Sequence, residues 1–210
     1  MDHILYNAAV KSDKEVFKNI EQPLNSLLTL SENTVLHIYI KSLYQESESM
    51  AKFVEELLSM CPSLLWKTNV NNKTPLHLAA RYGHIGIAKF LIEQAKNLSQ
   101  DLESRTEGRM KMLRMMDKEK NMTLHEVVHF DHLEVVKILI HEDPGLSQFA
   151  NDDSEIPLYM AVVRKFRPVA FTIILSTCEL RACGGPLGGT ALHAAIMLND
   201  IAKRKNTYPT

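Results

Sequence analysis

The sequence predicts an all-α solenoid, a row of about six stacked helix–turn–helix units. Three observations carry that prediction. A seven-residue string recurs along the chain: HILYNAA from His3, TVLHIYI from Thr34, TPLHLAA from Thr74, MTLHEVV from Met122, IPLYMAV from Ile156 and TALHAAI from Thr190. Gly and Pro number only 8 each in 210 residues, below the average share, which favours helices joined by short turns. In the third and fourth copies the string is followed by a second apolar stripe at helical spacing.

The leucines shared by the copies, Leu5, Leu36, Leu76, Leu124, Leu158 and Leu192, lie 31, 40, 48, 34 and 34 residues apart. A period of about 33 residues therefore carries inserted residues in two places. One is around Tyr44–Met50, between the two helices of the second unit. The other is around Asn97–Met116, between the third and fourth units. Stacked units tolerate insertions confined to connections. The units are placed at residues 1–30, 31–68, 69–100, 117–150, 151–184 and 185–210, the first degenerate and the last incomplete, with 101–116 as an inserted connector.

The third unit is the clearest. Thr74 is a good N-cap, and Pro75 fits the first helical position, where its missing N–H is no loss. Leu76, Ala79 and Ala80 form one apolar stripe, Gly83 supplies a left-handed stop, and Ile85, Ala88, Leu91 and Ile92 form the stripe of a second helix. Leu133, Val136, Leu139 and Ile140 repeat that stripe in the fourth unit, where Asp131 stands in for the glycine; Asn199 does so in the sixth. Met122 takes the threonine's place in the fourth unit, so Asn121 or Thr123 is expected to cap that helix. Tyr159 replaces the histidine in the fifth. Leu36, Leu76, Leu124, Leu158 and Leu192 are expected to line one continuous seam.

Charge and cysteine content exclude several classes. Lys plus Arg number 24 and Asp plus Glu 25, a net charge of −1. That gives no basic footprint for nucleic acid and no polybasic anchor for anionic lipid. Cys61, Cys178 and Cys183 form no even framework and no C-x-x-C pair; they read as small buried hydrophobes in a reducing, cytoplasmic setting. The N-terminus has no basic segment followed by an apolar run, so it is not a signal peptide. The longest apolar stretch, VAFTIILSTC from Val169, is broken by Glu179 and Arg181 and is shorter than the roughly 20 apolar residues that cross a bilayer.

TPLHLAARYGH (Thr74–His84) resembles the ankyrin repeat, with cap, proline, histidine, alanines and glycine in register. That resemblance implies a non-enzymatic array that binds other proteins, with no cofactor and no small-molecule substrate. The stretches Phe53–Asn69, Met112–Val128 and Pro186–Ile196 resemble the plant ankyrin-repeat membrane proteins of the accelerated-cell-death type. The narrower likeness implies a cytosolic ankyrin domain followed by transmembrane helices, serving defence, cell-death control or stress signalling at the plasma membrane or endoplasmic reticulum. Here the sequence stops at Thr210, and DIAKRKNTYPT after Asn199 is too short and polar for a normal second helix. The expectation is a fragment or truncated product, reaching a membrane only indirectly. A non-functional remnant is one alternative reading.

The other alternative is a zinc hydrolase. His125-Glu126-Val127-Val128-His129 has the form H-E-x-x-H, two imidazoles at i and i+4 with a glutamate to activate water. The repeat accounts for most of it. His125 falls where His37, His77 and His193 fall, which points to a hydrogen bond tying one unit to the next. His129 falls where Arg81 does, an outward position, and Glu126 falls where Ile38, Leu78 and Ala194 do. GGPLGG (Gly184–Gly189) lacks the context of a phosphate loop, and no G-x-S-x-G elbow occurs. No catalytic constellation or metal site is expected. The basic run Arg109–Met116 reads as a connector whose methionines pack against the stack rather than as a calmodulin or membrane surface.

Ankyrin arrays present a concave face made by turn tips and first helices. Carried over unit by unit, its outward helix positions here are Lys41, Arg81, Tyr82, His129, Phe130 and Arg164, and its tip positions are Lys73, Lys118, Glu119, Asp152, Asp153 and Glu155. Tyr, Phe and Arg at such places are the types that anchor partners. Tip charge changes from basic Lys73 to acidic Asp152, Asp153 and Glu155, a gradient that would orient a partner.

Overall fold

The computed structural model describes residues 1–44, 48–97, 102–176 and 185–197. Cys178, Cys183 and the segment from Asn199 onward lie outside the described residues. Every regular element among those described is helical. The helices form two rows. One holds α1 (His3–Lys11), α3 (Val35–Ser42), α5 (Pro75–Tyr82), α8 (Thr123–His129) and α10 (Pro157–Val163), each packed on the next. The other holds α2 (Lys14–Lys18), α4 (Glu48–Met60), α6 (Ile85–Asn97), α9 (Leu133–Glu142) and α11 (Arg167–Ser176), stacked in the same way. A last helix, α12, spans 191–197.

Local chemistry sets each element. Thr34 and Thr74 cap α3 and α5, each hydroxyl accepting from the backbone N–H three residues on. Pro75 opens α5 and Gly83 ends it in the left-handed region at φ 71°. Gly83 has a second reason to lack a side chain: an added Cβ would stand 2.6 Å from His132 Nδ1. The same stop at the ends of α1, α8 and α10 is made by Ser12, Asp131 and Lys165, all at positive φ. After α4 and α9 the chain turns through short 3-10 helices opened by Pro62 and Pro144, which bury Leu64, Leu65 and Leu146.

The core runs unbroken along both rows. Leu36, Leu76, Leu124 and Leu158 are buried in it, with Ala79 and Ala80 allowing close approach of α5 to its neighbours. Leu5 is half-buried and Leu192 is 69% exposed. Leu192 thus departs from the expected seam.

One other expectation needs correction. Neither Asn121 nor Thr123 caps α8. The Thr123 hydroxyl instead donates to Leu113 O at 3.2 Å, and the Asn121 amide donates to Asp117 and Glu119. The inserted connector is helical over α7 (Leu102–Leu113), which lies along α6 with Met112 and Leu113 buried. Arg109 and Lys111 in this helix, and Arg114 just after it, engage residues of the stack. Arg109 and Lys96 each donate to Glu142 at 3.0 Å. Arg114 grips Asp143 through two bonds of 2.7 and 3.2 Å, and Lys111 lies 5.5 Å from the centre of the Trp66 ring.

Candidate functional site

The turn tips between units are built alike. Asn69 Oδ1 accepts from the N–H of Asn71 and Lys73, Asp117 Oδ1 from those of Glu119 and Asn121, and Asn151 Oδ1 from that of Glu155. Glu32, Asn72, Lys120 and Ser154 take the left-handed conformation that closes each tip. Backbone bonds then join tip to tip: Val70 N–H to Ser31 O, Lys118 N–H to Asn71 O and Asp152 N–H to Glu119 O.

Histidines fasten the first helices in both directions. His37, His77 and His125 each accept a backbone N–H at Nδ1. Their Nε2–H groups donate forward, to the carbonyls of Lys73, Asn121 and Glu155 at 2.9, 3.3 and 3.2 Å. Burial holds all three imidazoles down at about 4, so they stay neutral. His84 and His132 donate backward, to Ile40 O and Arg81 O. The repeat alignment pointed to the forward set, whereas the backward set follows the Gly83 and Asp131 stops and had no place in the leucine-centred alignment.

The H-E-x-x-H residues are engaged within this pattern. Both ring nitrogens of His125 are engaged within the protein. His129 accepts from Arg164 at 3.1 Å and is kept below its usual pKa first by burial, then by the cations Arg164, Arg81 and Lys73. Glu126 is bound to Lys73. Among the described residues no three His, Cys, Asp or Glu side chains gather as metal ligands do.

The tips and the first helices α5 and α8 enclose a polar cleft of about 310 Å³. It brings together Lys73, Arg81, Lys118, Glu119, His129 and Phe130 from the sequence-predicted set. Arg81 lies 4.6 Å from the centre of the Phe130 ring. Tyr82 stacks on His84 in the equivalent place one unit back, and both aromatic side chains remain partly exposed. Lys118 and Glu119 are exposed at the tip. Lys41, Asp152, Asp153, Glu155 and Arg164 do not line the cleft. Asp152 is paired with Lys120 at 2.6 Å.

Lys73 departs from its expected role as an outward tip cation. Its side chain is only 14% exposed and bridges Glu126 and Asp117, themselves 6% and 1% exposed. The cause is Glu126. A carboxylate at a position that is apolar in the other units is buried by the stack and requires a counter-ion. The basic end of the tip gradient is therefore neutralised. A second groove of about 790 Å³ lies between α6 and α9, with Ile85, Phe90 and Ile138 among its lining residues; Lys96 and Glu142 at its rim are already paired with each other.

Among the described residues no helix is long and apolar enough to cross a membrane. The family profile for ankyrin repeats, in three copies, matches residues 5–105. No curated protein matches the sequence. A solved structure titled as the crystal structure of EF0377, an ankyrin repeat protein, superposes with a TM-score of 0.70 at 17% identity, covering 98% of this chain and 97% of that one. Arrays of this kind build extended concave binding surfaces. The repeated string, the two helix rows, the tip ladder and these matches lead to one conclusion: residues 5–105 match the ankyrin-repeat family, and the chain as a whole has the ankyrin-repeat fold.

Proposed function

We propose that the chain is a non-enzymatic scaffold whose partner protein docks in the cleft between tips and first helices, centred on Arg81, Tyr82, Lys118, Glu119, His129 and Phe130. Lys41, Asp152, Asp153, Glu155 and Arg164 flank that centre, and Lys73 acts from beneath it. The observation that carries this reading is the pair Tyr82 and Phe130, half-exposed aromatic rings at matching places on successive helices, held over a hydrogen-bonded frame. Aromatic and arginine side chains so placed are the types that dominate binding energy. A partner captured by the wild-type chain should lose about 2 kcal/mol of binding to Phe130→Ala and to Tyr82→Ala, the size of an interface hot spot. Both variants should keep the wild-type unfolding midpoint. Full binding by both would overturn the assignment.

The cellular setting we propose is defence or stress signalling in a plant cell, on the cytosolic side of a membrane. Its support is the likeness of Phe53–Asn69, Met112–Val128 and Pro186–Ile196 to the plant membrane adaptors. Loss of the gene should then alter the cell-death response to infection. An unchanged response would remove that setting and leave the scaffold.

A further inference from the structure

The floor of the cleft holds an uneven set of charges. Asp117 and Glu126 are both buried, and one buried ammonium, that of Lys73, serves them both. Asp117 is fully used, since its oxygens also accept from the tip backbone and from Asn121. Glu126 is not. Its Oε1 accepts from Lys73, but its Oε2 is buried and accepts no hydrogen bond from any described residue. The next cation, Arg81, stands 3.8 Å away and is committed to the face of Phe130. A buried carboxylate oxygen without a donor is unfavourable by about 1–3 kcal/mol or more, and Glu126 is among the residues that line the cleft of about 310 Å³.

We propose that this cleft is a pocket for a basic side chain, lysine or arginine, of the partner protein, whose N–H donors complete Glu126 Oε2 while its stem lies against Phe130 and Met160. The proposal rests on the scaffold reading above and specifies the partner's chemistry. A lone acidic or apolar side chain would leave Oε2 unserved, so the pocket discriminates by charge.

The test uses the full chain and two end-blocked pentapeptides, Gly-Gly-Arg-Gly-Gly and Gly-Gly-Glu-Gly-Gly, followed by amide NMR. The arginine peptide should give saturable shifts at Glu126, His129 and Phe130, and the glutamate peptide none. Glu126→Gln should weaken the arginine peptide by about tenfold, the size of one charge-assisted hydrogen bond. Arg81→Gln should act in the opposite sense. Removing the competing cation should tighten binding roughly threefold, a gain that misfolding cannot produce. No saturable shift, equal response to both peptides, or indifference to Glu126→Gln would each overturn the pocket. A random-peptide display selection on the same chain separates this from the broader reading. Selected peptides lost on Phe130→Ala but kept on Glu126→Gln retain the scaffold and reject the pocket, whereas peptides indifferent to both reject the scaffold as well.

Discussion

At the scale of single residues, neutral buried histidines make the fold sensitive to acid. His37, His77 and His125 have folded values near 4 against an unfolded value of about 6.5. The unfolded chain therefore takes up protons first as pH falls. Stability from these sites is complete above about 6.5 and is lost progressively down to about 4, by up to about 1.4 kcal/mol per pH unit for each site. Urea unfolding at pH 7, 6 and 5 should show midpoints falling ever more steeply; a flat series would contradict the neutral ladder. Gly83→Ala is expected to destabilise by about 2 kcal/mol or more, combining left-handed strain with the clash on His132, as read from the same unfolding curves. The forward histidines were legible because Thr34 and Thr74 cap in register with them. Glu126 was legible only as an oddity, a charge where other units carry Ile38, Leu78 or Ala194. Its true partner, Lys73, lies 53 residues away, a separation that no local pattern reports.

At the scale of elements, the left-handed stops explain both the success and the limits of the sequence reading. Gly83 and Asp131 advertise that conformation by residue type, and Lys165 does not, yet all three adopt it. Lys165 is exposed, so Lys165→Gly should relieve strain and raise stability by up to about 1 kcal/mol, measured as a higher urea midpoint. The inserted α7 was read as a connector because its repeat-breaking residues match no unit. Its helical packing is decided by distant partners, Glu142 and Asp143 on the neighbouring unit, which sequence spacing cannot pair. Asp143 also accepts from Gly145 N–H at the start of the 3-10 turn. Asp143→Ala should therefore lower stability by about 2–3 kcal/mol, the scale for losing charge-assisted hydrogen bonds at a buried group. Amide exchange should quicken in α7 and residues 144–148 before it does in α5.

At the scale of the whole molecule, the energy is distributed along a line, each unit leaning on its neighbours. Leu76→Ala, in the fully packed middle, should cost about 3 kcal/mol. Leu192→Lys, on a side chain that is already exposed, should change stability by less than about 0.5 kcal/mol while lowering self-association at high concentration, as followed by sedimentation. The row of helices was readable because a repeating string states its own period; the exposure of Leu192 was not, since the string at Thr190 looks as complete as the others. α7 has one more consequence, a mechanical one. With Arg114 just after it, it touches α6, Trp66, Glu142 and Asp143 at once, so it splints three successive turns of what would otherwise be an evenly compliant spring. Stretched between its two ends in an optical trap, the chain should peel its outer turns in small separate steps and then release the splinted middle in one larger rupture.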